Sequence, residues 1–181
     1  MKATGIVRKI DDLGRVVIPK EIRKNLKIRV GDPLEIFIEE NGQIILQKYA
    51  PMGDMLDIVT KYAKSLYDTS GFDVCITDKE TVIAANGPNK PEYFAREISE
   101  HVLKVMNDRA IWSTNQDSPK NLTVNDDLKS YYAQVIAPII CEGEAIGVVI
   151  LFSTKSDKKI TDSECKLVKS AAVFLATQLE V

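Results

Sequence analysis

Apolar positions along the first fifty residues come in short bursts. Ile6-Val7 and Val16-Val17-Ile18 flank the turn-forming run Asp11-Asp12-Leu13-Gly14, a pattern that predicts two short strands in a hairpin. Pro19 ends the second strand. Because proline is accepted in the first turn of a helix, residues 19–26 predict a short one with Ile22 and Leu26 on one face. Gly31-Asp32-Pro33 breaks the chain again. Leu34, Ile36 and Ile38 then alternate with Glu35, Phe37 and Glu39, and Asn41-Gly42 ahead of Gln43-Ile44-Ile45-Leu46 signals a two-residue hairpin. The predicted order is β-β-α-β-β.

Near Tyr49-Ala50-Pro51 the period changes, dividing the chain into a first domain, 1–50, and a second, 51–181. Met52, Met55, Val59, Tyr62 and Leu66 recur at intervals of three and four, as do Cys165, Val168, Ala172, Leu175 and Leu179. Such narrow stripes suit packing between helices of different subunits, so Met55, Val59, Tyr62 and Leu66, with Val168, Ala172, Leu175 and Leu179, are expected to hold an oligomer together. Between the stripes, Phe72, Val74 and Ile76 and then Thr81 to Ala85 predict a hairpin about Asp78-Lys79-Glu80. A helix is expected from about Pro91, with Phe94, Ile98, His101 or Val102, and Val105 on one face. After an irregular stretch, Tyr131 to Ile140 and Ala145 to Phe152 predict a second hairpin about Cys141-Glu142-Gly143-Glu144. Helix, hairpin, helix, hairpin, helix is an α+β arrangement, expected as a mixed sheet flanked by helices.

Charge sharpens the division. The chain of 181 residues carries a net −2, yet residues 1–50 hold ten Lys or Arg against seven Asp or Glu, and residues 51–181 hold fourteen against nineteen. Within 2–29 the count is nine against three, a local excess that attracts polyanions to one end only. A fifty-residue module with four short strands and no disulfide or metal buries too little to stand alone, which predicts an obligate dimer. A symmetric dimer presents each basic residue twice at a fixed separation, as the reading of pseudo-symmetric DNA requires. Arginine donates two parallel hydrogen bonds to guanine or phosphate, so Arg8, Arg15 and Arg23 are the candidate DNA contacts; Lys9 lies beside them and Lys24 suits a phosphate.

The segment Gly5-Ile6-Val7-Arg8-Lys9-Ile10-Asp11-Asp12-Leu13-Gly14-Arg15-Val16-Val17-Ile18-Pro19-Lys20-Glu21-Ile22-Arg23-Lys24 resembles the AbrB-type transition-state regulators. That resemblance implies a swapped-hairpin dimer whose strands interleave between two chains. It also implies DNA contact by arginines matching Arg8, Arg15 and Arg23, while Lys24 keeps the charge where the family often carries arginine. The run Val135-Ile136-Ala137-Pro138-Ile139-Ile140-Cys141-Glu142-Gly143-Glu144-Ala145-Ile146-Gly147-Val148-Val149-Ile150 is similar to the late hairpin of GAF domains, which often bind small molecules between sheet and helices. Joined at this length, the two parts resemble a family of sporulation regulators across essentially the whole chain. What that implies is a double-stranded-DNA-binding transcription factor, activator or repressor of sporulation genes. It further implies a tetramer held by the swapped dimers and by the helices flanking the GAF-like domain, with an unidentified small-molecule ligand whose contact residues the sequence does not name.

Other chemistries find little footing. Three cysteines, Cys75, Cys141 and Cys165, form no CxxC pair, and a single His101 offers them little help in holding a metal, so no metal, cofactor or catalytic residue is expected. A GAF-fold reductase using Cys75 and Cys141 is one alternative; an antitoxin that neutralises a toxin through a short flexible tail is another. Without an apolar run near ~18 residues or a signal-peptide core, the chain is expected in the cytoplasm at the nucleoid.

Overall fold

In a computed structural model of the protein, residues 5–49, 52–53, 55–115 and 131–179 are described. The chain forms two compact units, Met1–Tyr49 and Ala50–Val181.

In the first unit the helix α1 spans Lys20–Asn25 behind Pro19, and β1 (Leu34–Ile38) pairs antiparallel with β2 (Ile44–Lys48). The hairpin expected to need a two-residue loop uses three, Glu40, Asn41 and Gly42. Glu39 N donates to Gln43 O and Gly42 N to Glu39 O, and Gly42 takes the left-handed conformation at φ 80° that this loop requires. The first predicted hairpin keeps its turn, with Asp11 N donating to Arg15 O at 3.0 Å and Gly14 N to Asp11 O at 2.9 Å, but its arms carry no strand ladder. Among residues 5–49 no side chain is buried: Val7 is 85% exposed, Ile38 78% and Val30 91%. At about 1.5–3 kcal/mol for each large apolar side chain fully removed from water, such a unit forgoes most of the stabilisation its sequence contains.

The second unit runs α2 (Leu56–Ser70), β3 (Asp73–Thr77), β4 (Val82–Asn86), α3 (Lys90–Tyr93), α4 (Glu100–Asp108), β5 (Trp112–Thr114), β6 (Ala133–Cys141), β7 (Glu144–Ser153) and α5 (Asp162–Thr177). Its sheet has the order β4-β3-β7-β6-β5. The α+β arrangement is as expected, but the pairing is antiparallel in each described ladder rather than mixed. Two tight hairpins, β3–β4 and β6–β7, are antiparallel by construction, and they join through β3 and β7. The strand β5, absent from the expectations, adds an edge to β6.

The helix expected from Pro91 is broken. Ala95 turns left-handed at φ 62°, Ala95 N donates to Val82 O, and Ile98 N donates to Glu80 O, so residues 95–98 run beside the start of β4. Ser99 then caps α4, its hydroxyl accepting from Val102 N. At the other end α5 starts with a capping box, in which Thr161 accepts from Ser163 N and Glu164 accepts from Thr161 N at 2.8 Å.

Period-two alternation divides the side chains between two cores. Val74, Ile76, Val135, Ala137, Val149 and Leu151 face α2 and α5, whereas Cys75, Ile136, Val148, Ile150 and Phe152 face α3 and α4. The two stripes assigned to an oligomer therefore need correction. Met55, Val59, Leu66, Val168, Ala172 and Leu175 are buried in the first of these cores, and Tyr62 and Leu179 pack partly buried at its margin. A helix lying on a sheet buries the same one-in-3.5 stripe as a helix in a bundle, because both present a single narrow face.

Candidate nucleic-acid interface

The turn between Asp11 and Arg15 is organised by one carboxylate. Asp11 Oδ1 accepts from Leu13 N at 3.0 Å and from Arg15 N at 2.8 Å, while Oδ2 accepts from Arg15 Nε at 2.8 Å. Gly14, at φ 75°, supplies the left-handed step that closes the turn. These bonds, the backbone N–H of Arg15 first and its side chain second, hold the Asp11 carboxyl below its usual range. Arg15 itself projects into solvent, its side chain 69% exposed. Its two terminal amino groups have no partner among the described residues.

Arg8 and Lys9 precede this turn and are exposed. Lys20, Arg23 and Lys24 lie on α1 at spacings of three and four, which places them along one side of the helix. Lys24 is exposed; Arg23 is half-buried, and its Nε is shielded from solvent without a hydrogen-bond partner among the described residues. An arginine with an idle donor differs from a solvated surface charge. The short helix ends where Lys27 turns left-handed at φ 53° and Ile28 N donates to Arg23 O at 2.8 Å, a capping contact that fixes the backbone of Arg23.

Among the described residues of the second unit, a buried amide and a polar cleft are sites where a ligand could be held. One is Gln134 on β6, 1% exposed, whose amide nitrogen and oxygen both lack a partner among the described residues. It stands opposite Phe152 and Thr114, hence on the α3–α4 side of the sheet, where Tyr131 OH donates to Tyr93 OH at 2.8 Å and both rings pack on Phe152. The other is a cleft of about 90 Å3 at the end of the sheet, lined by Asp73, Asn89, Lys155 and Lys158 among others. Asp73 is buried there, which raises its carboxyl, but both its oxygens are engaged by Asn89 at 3.3 Å. That carboxylate serves the loop beside it.

Thiol chemistry finds no paired site. Cys75 is fully buried on the α3–α4 side, where burial pushes its thiol far up, and Cys141 packs against the core on the other side. A thiol held protonated is a poor nucleophile. Among the described residues no group of His, Cys, Asp and Glu is arranged to hold a metal ion, and no helix is long and apolar enough to cross a membrane.

Known proteins resemble both units of the chain. Residues 54–180 match the family described as stage V sporulation protein T C-terminal, transcription factor, and residues 7–54 match antidote-toxin recognition MazE, bacterial antitoxin. Over 99% of both chains the protein is 45% identical to stage V sporulation protein T of Bacillus subtilis, and over 51 residues, 28% of this chain and 52% of the relative, it is 59% identical to the transition state regulatory protein AbrB of that organism. The GAF domain of an Acinetobacter phosphoenolpyruvate-protein phosphotransferase superposes on 69% of this chain and 81% of its own with a TM-score of 0.57 at 14% identity, a likeness of fold.

Proposed function

The chain belongs to the stage V sporulation protein T family, and on that premise we propose that it is a transcription regulator of sporulation genes that grips double-stranded DNA through paired N-terminal units. One observation carries this reading. The first unit leaves its apolar side chains in solvent while presenting Arg8, Lys9, Arg15 and Lys24. A second copy with interleaved strands supplies both the missing ladder and the missing core, and it sets the basic residues in a two-fold array. Arg8, Arg15 and Arg23 then contact bases or phosphates, with Lys9 and Lys24 neutralising phosphates.

Tetramers form through the second unit. The buried stripes are spent inside it, so the contact falls on what α2 and α5 leave outside: Ile58, Val173 and Phe174, which remain exposed beside the half-buried Tyr62. Tethering two DNA-binding dimers raises the effective concentration of the second at a neighbouring site. On the α3–α4 side a small polar ligand satisfies the unpaired amide of Gln134 and links metabolite level to assembly. The protein is a regulator rather than an enzyme and acts at the nucleoid in the cytoplasm. Residues 55–115 and 131–179 form a sheet with a core on each face, which disfavours the antitoxin alternative with its flexible tail.

The test is affinity for a pool of genomic DNA fragments across a salt series, for the full chain and for Arg15→Ala. A steep fall with salt and weaker binding by a variant of unchanged oligomeric state uphold the reading. Absence of binding by the unaltered chain at low salt overturns it.

A further inference from the structure

Asp11 stands out as an acid in the most basic stretch of the chain. A carboxylate beside a phosphate backbone opposes binding, so plain electrostatics expects its removal to tighten the complex. Its geometry points the other way. Both oxygens are occupied, Oδ1 by the backbone N–H groups of Leu13 and Arg15, Oδ2 by Arg15 Nε at 2.8 Å. The carboxylate thus fixes the backbone and the side chain of the same arginine.

An unrestrained arginine side chain has many rotamers and loses that freedom on binding. Held at Nε, the Arg15 guanidinium keeps one orientation and turns its far edge outward. That edge carries the two terminal amino groups, two parallel donors whose geometry matches the O6 and N7 acceptors of guanine in the major groove. Held there, Arg15 favours an end-on approach over a sideways one, since Nε is already engaged. Gly14 keeps the turn open on the outer side, a Cβ at that position meeting nothing within 4 Å, so the loop can approach a groove closely.

We propose that Asp11 is a positioning residue for DNA recognition, pre-orienting Arg15 for an end-on, two-pronged contact with guanine, an inference that rests on the DNA-binding reading above. Asp11 touches no base. Its effect passes entirely through Arg15, and the sign of that effect is opposite to the one its charge alone would give.

The experiment uses the full chain and two duplexes: one selected by the unaltered protein from a random-sequence pool, the other a scrambled control. Asp11→Asn keeps an oxygen for the two backbone N–H groups while removing the carboxylate that holds Nε, so the turn survives and the side-chain anchor does not. Thermal melting and mass in solution check that survival. The expected result is a roughly 3- to 10-fold loss of affinity for the selected duplex, with little change for the scrambled one. In an Arg15→Ala background the same substitution should do nothing or tighten binding slightly. Tighter or equal binding by Asp11→Asn in the unaltered background overturns the proposal, and so does an equal loss in both backgrounds. Arg15→Ala alone reads the underlying assignment: if it binds the selected duplex as well as the unaltered chain, Arg15 is no DNA contact and the role of Asp11 falls with it.

Discussion

Tyr62 on α2 and Phe174 on α5 stack with ring centroids 4.9 Å apart, bridging the two helices on their outer side. Ile58, one turn from Tyr62, and Val173, next to Phe174, stay exposed around the stack. Replacing Phe174 with Asp should split tetramers into dimers while leaving the thermal midpoint of the second unit within a few degrees, because an outward side chain contributes little to the core. Light scattering coupled to size exclusion reads the outcome; an unchanged tetramer would move the assembly face elsewhere.

Leu175, one residue further along, should behave in the opposite manner. It is fully buried among Val59, Val135 and Val168, so Leu175→Ala should cost about 2–5 kcal/mol of unfolding free energy. Denaturant titration measures that loss. If Leu175→Ala merely changed the oligomeric state at full stability, the stripe would belong to an intersubunit seam after all.

The basic residues should separate by salt dependence. Lys24 is exposed on α1, and as a phosphate contact its change to Ala should weaken selected and scrambled duplexes alike and flatten the salt slope by roughly 1 per site. Arg15→Ala, removing a base contact, should cost about 1–3 kcal/mol on the selected duplex and much less on the scrambled one.

Gln134 is expected to be a burden on the stability of the second unit. A buried amide with both ends unpaired costs about 1–3 kcal/mol in lost hydration, so Gln134→Met, similar in shape, should raise the melting temperature. A drop in melting temperature would mean that the amide has partners after all.

Asp11 also predicts a titration. Its folded value lies below the ordinary 3.8, so the unfolded chain takes the proton more readily. The stability of the turn is therefore fully present above the ordinary carboxylate range and is lost as pH falls through the lower, folded value. Side-chain carboxyl shifts in NMR should place the midpoint below 3.8, and Arg15→Ala should return it only partway, because the backbone N–H of residue 15 remains as the larger cause.

Much of this was legible in the chain because short, β-branched apolar runs such as Val135 to Ile140, folded back about Cys141-Glu142-Gly143-Glu144, read as paired strands. Turn chemistry was plain at Gly14, whereas at Gly42 the hairpin was legible but the length of its loop was not. What escaped had physical reasons. Trp112-Ser113-Thr114 is too short for a period, and its strand exists only because β6 offers an edge. The break at residues 95–98 comes from hydrogen bonds to Glu80 and Val82, far off in sequence, while Ile98 and Val102 keep helical spacing across it. The stripes on α2 and α5 are legible as buried faces, and the structure adds that they pack on the sheet of their own unit, since spacing records that a face is buried but not against what. At the interface, the identity of the arginines was readable, whereas the anchor on Arg15 was not: Asp11 and Asp12 are equivalent in sequence, and only the folded turn chooses between them.

The sheet of the second unit is one strand thick, and each strand sends alternate side chains into two separate interiors. Gln134 and Val135 share a peptide bond yet belong to opposite rooms, one shared with α3 and α4, the other with α2 and α5. The partition behaves as a common wall: whatever swells the room on one side displaces the plaster on the other, and the outer helices, with the Tyr62–Phe174 stack upon them, hang on that far surface.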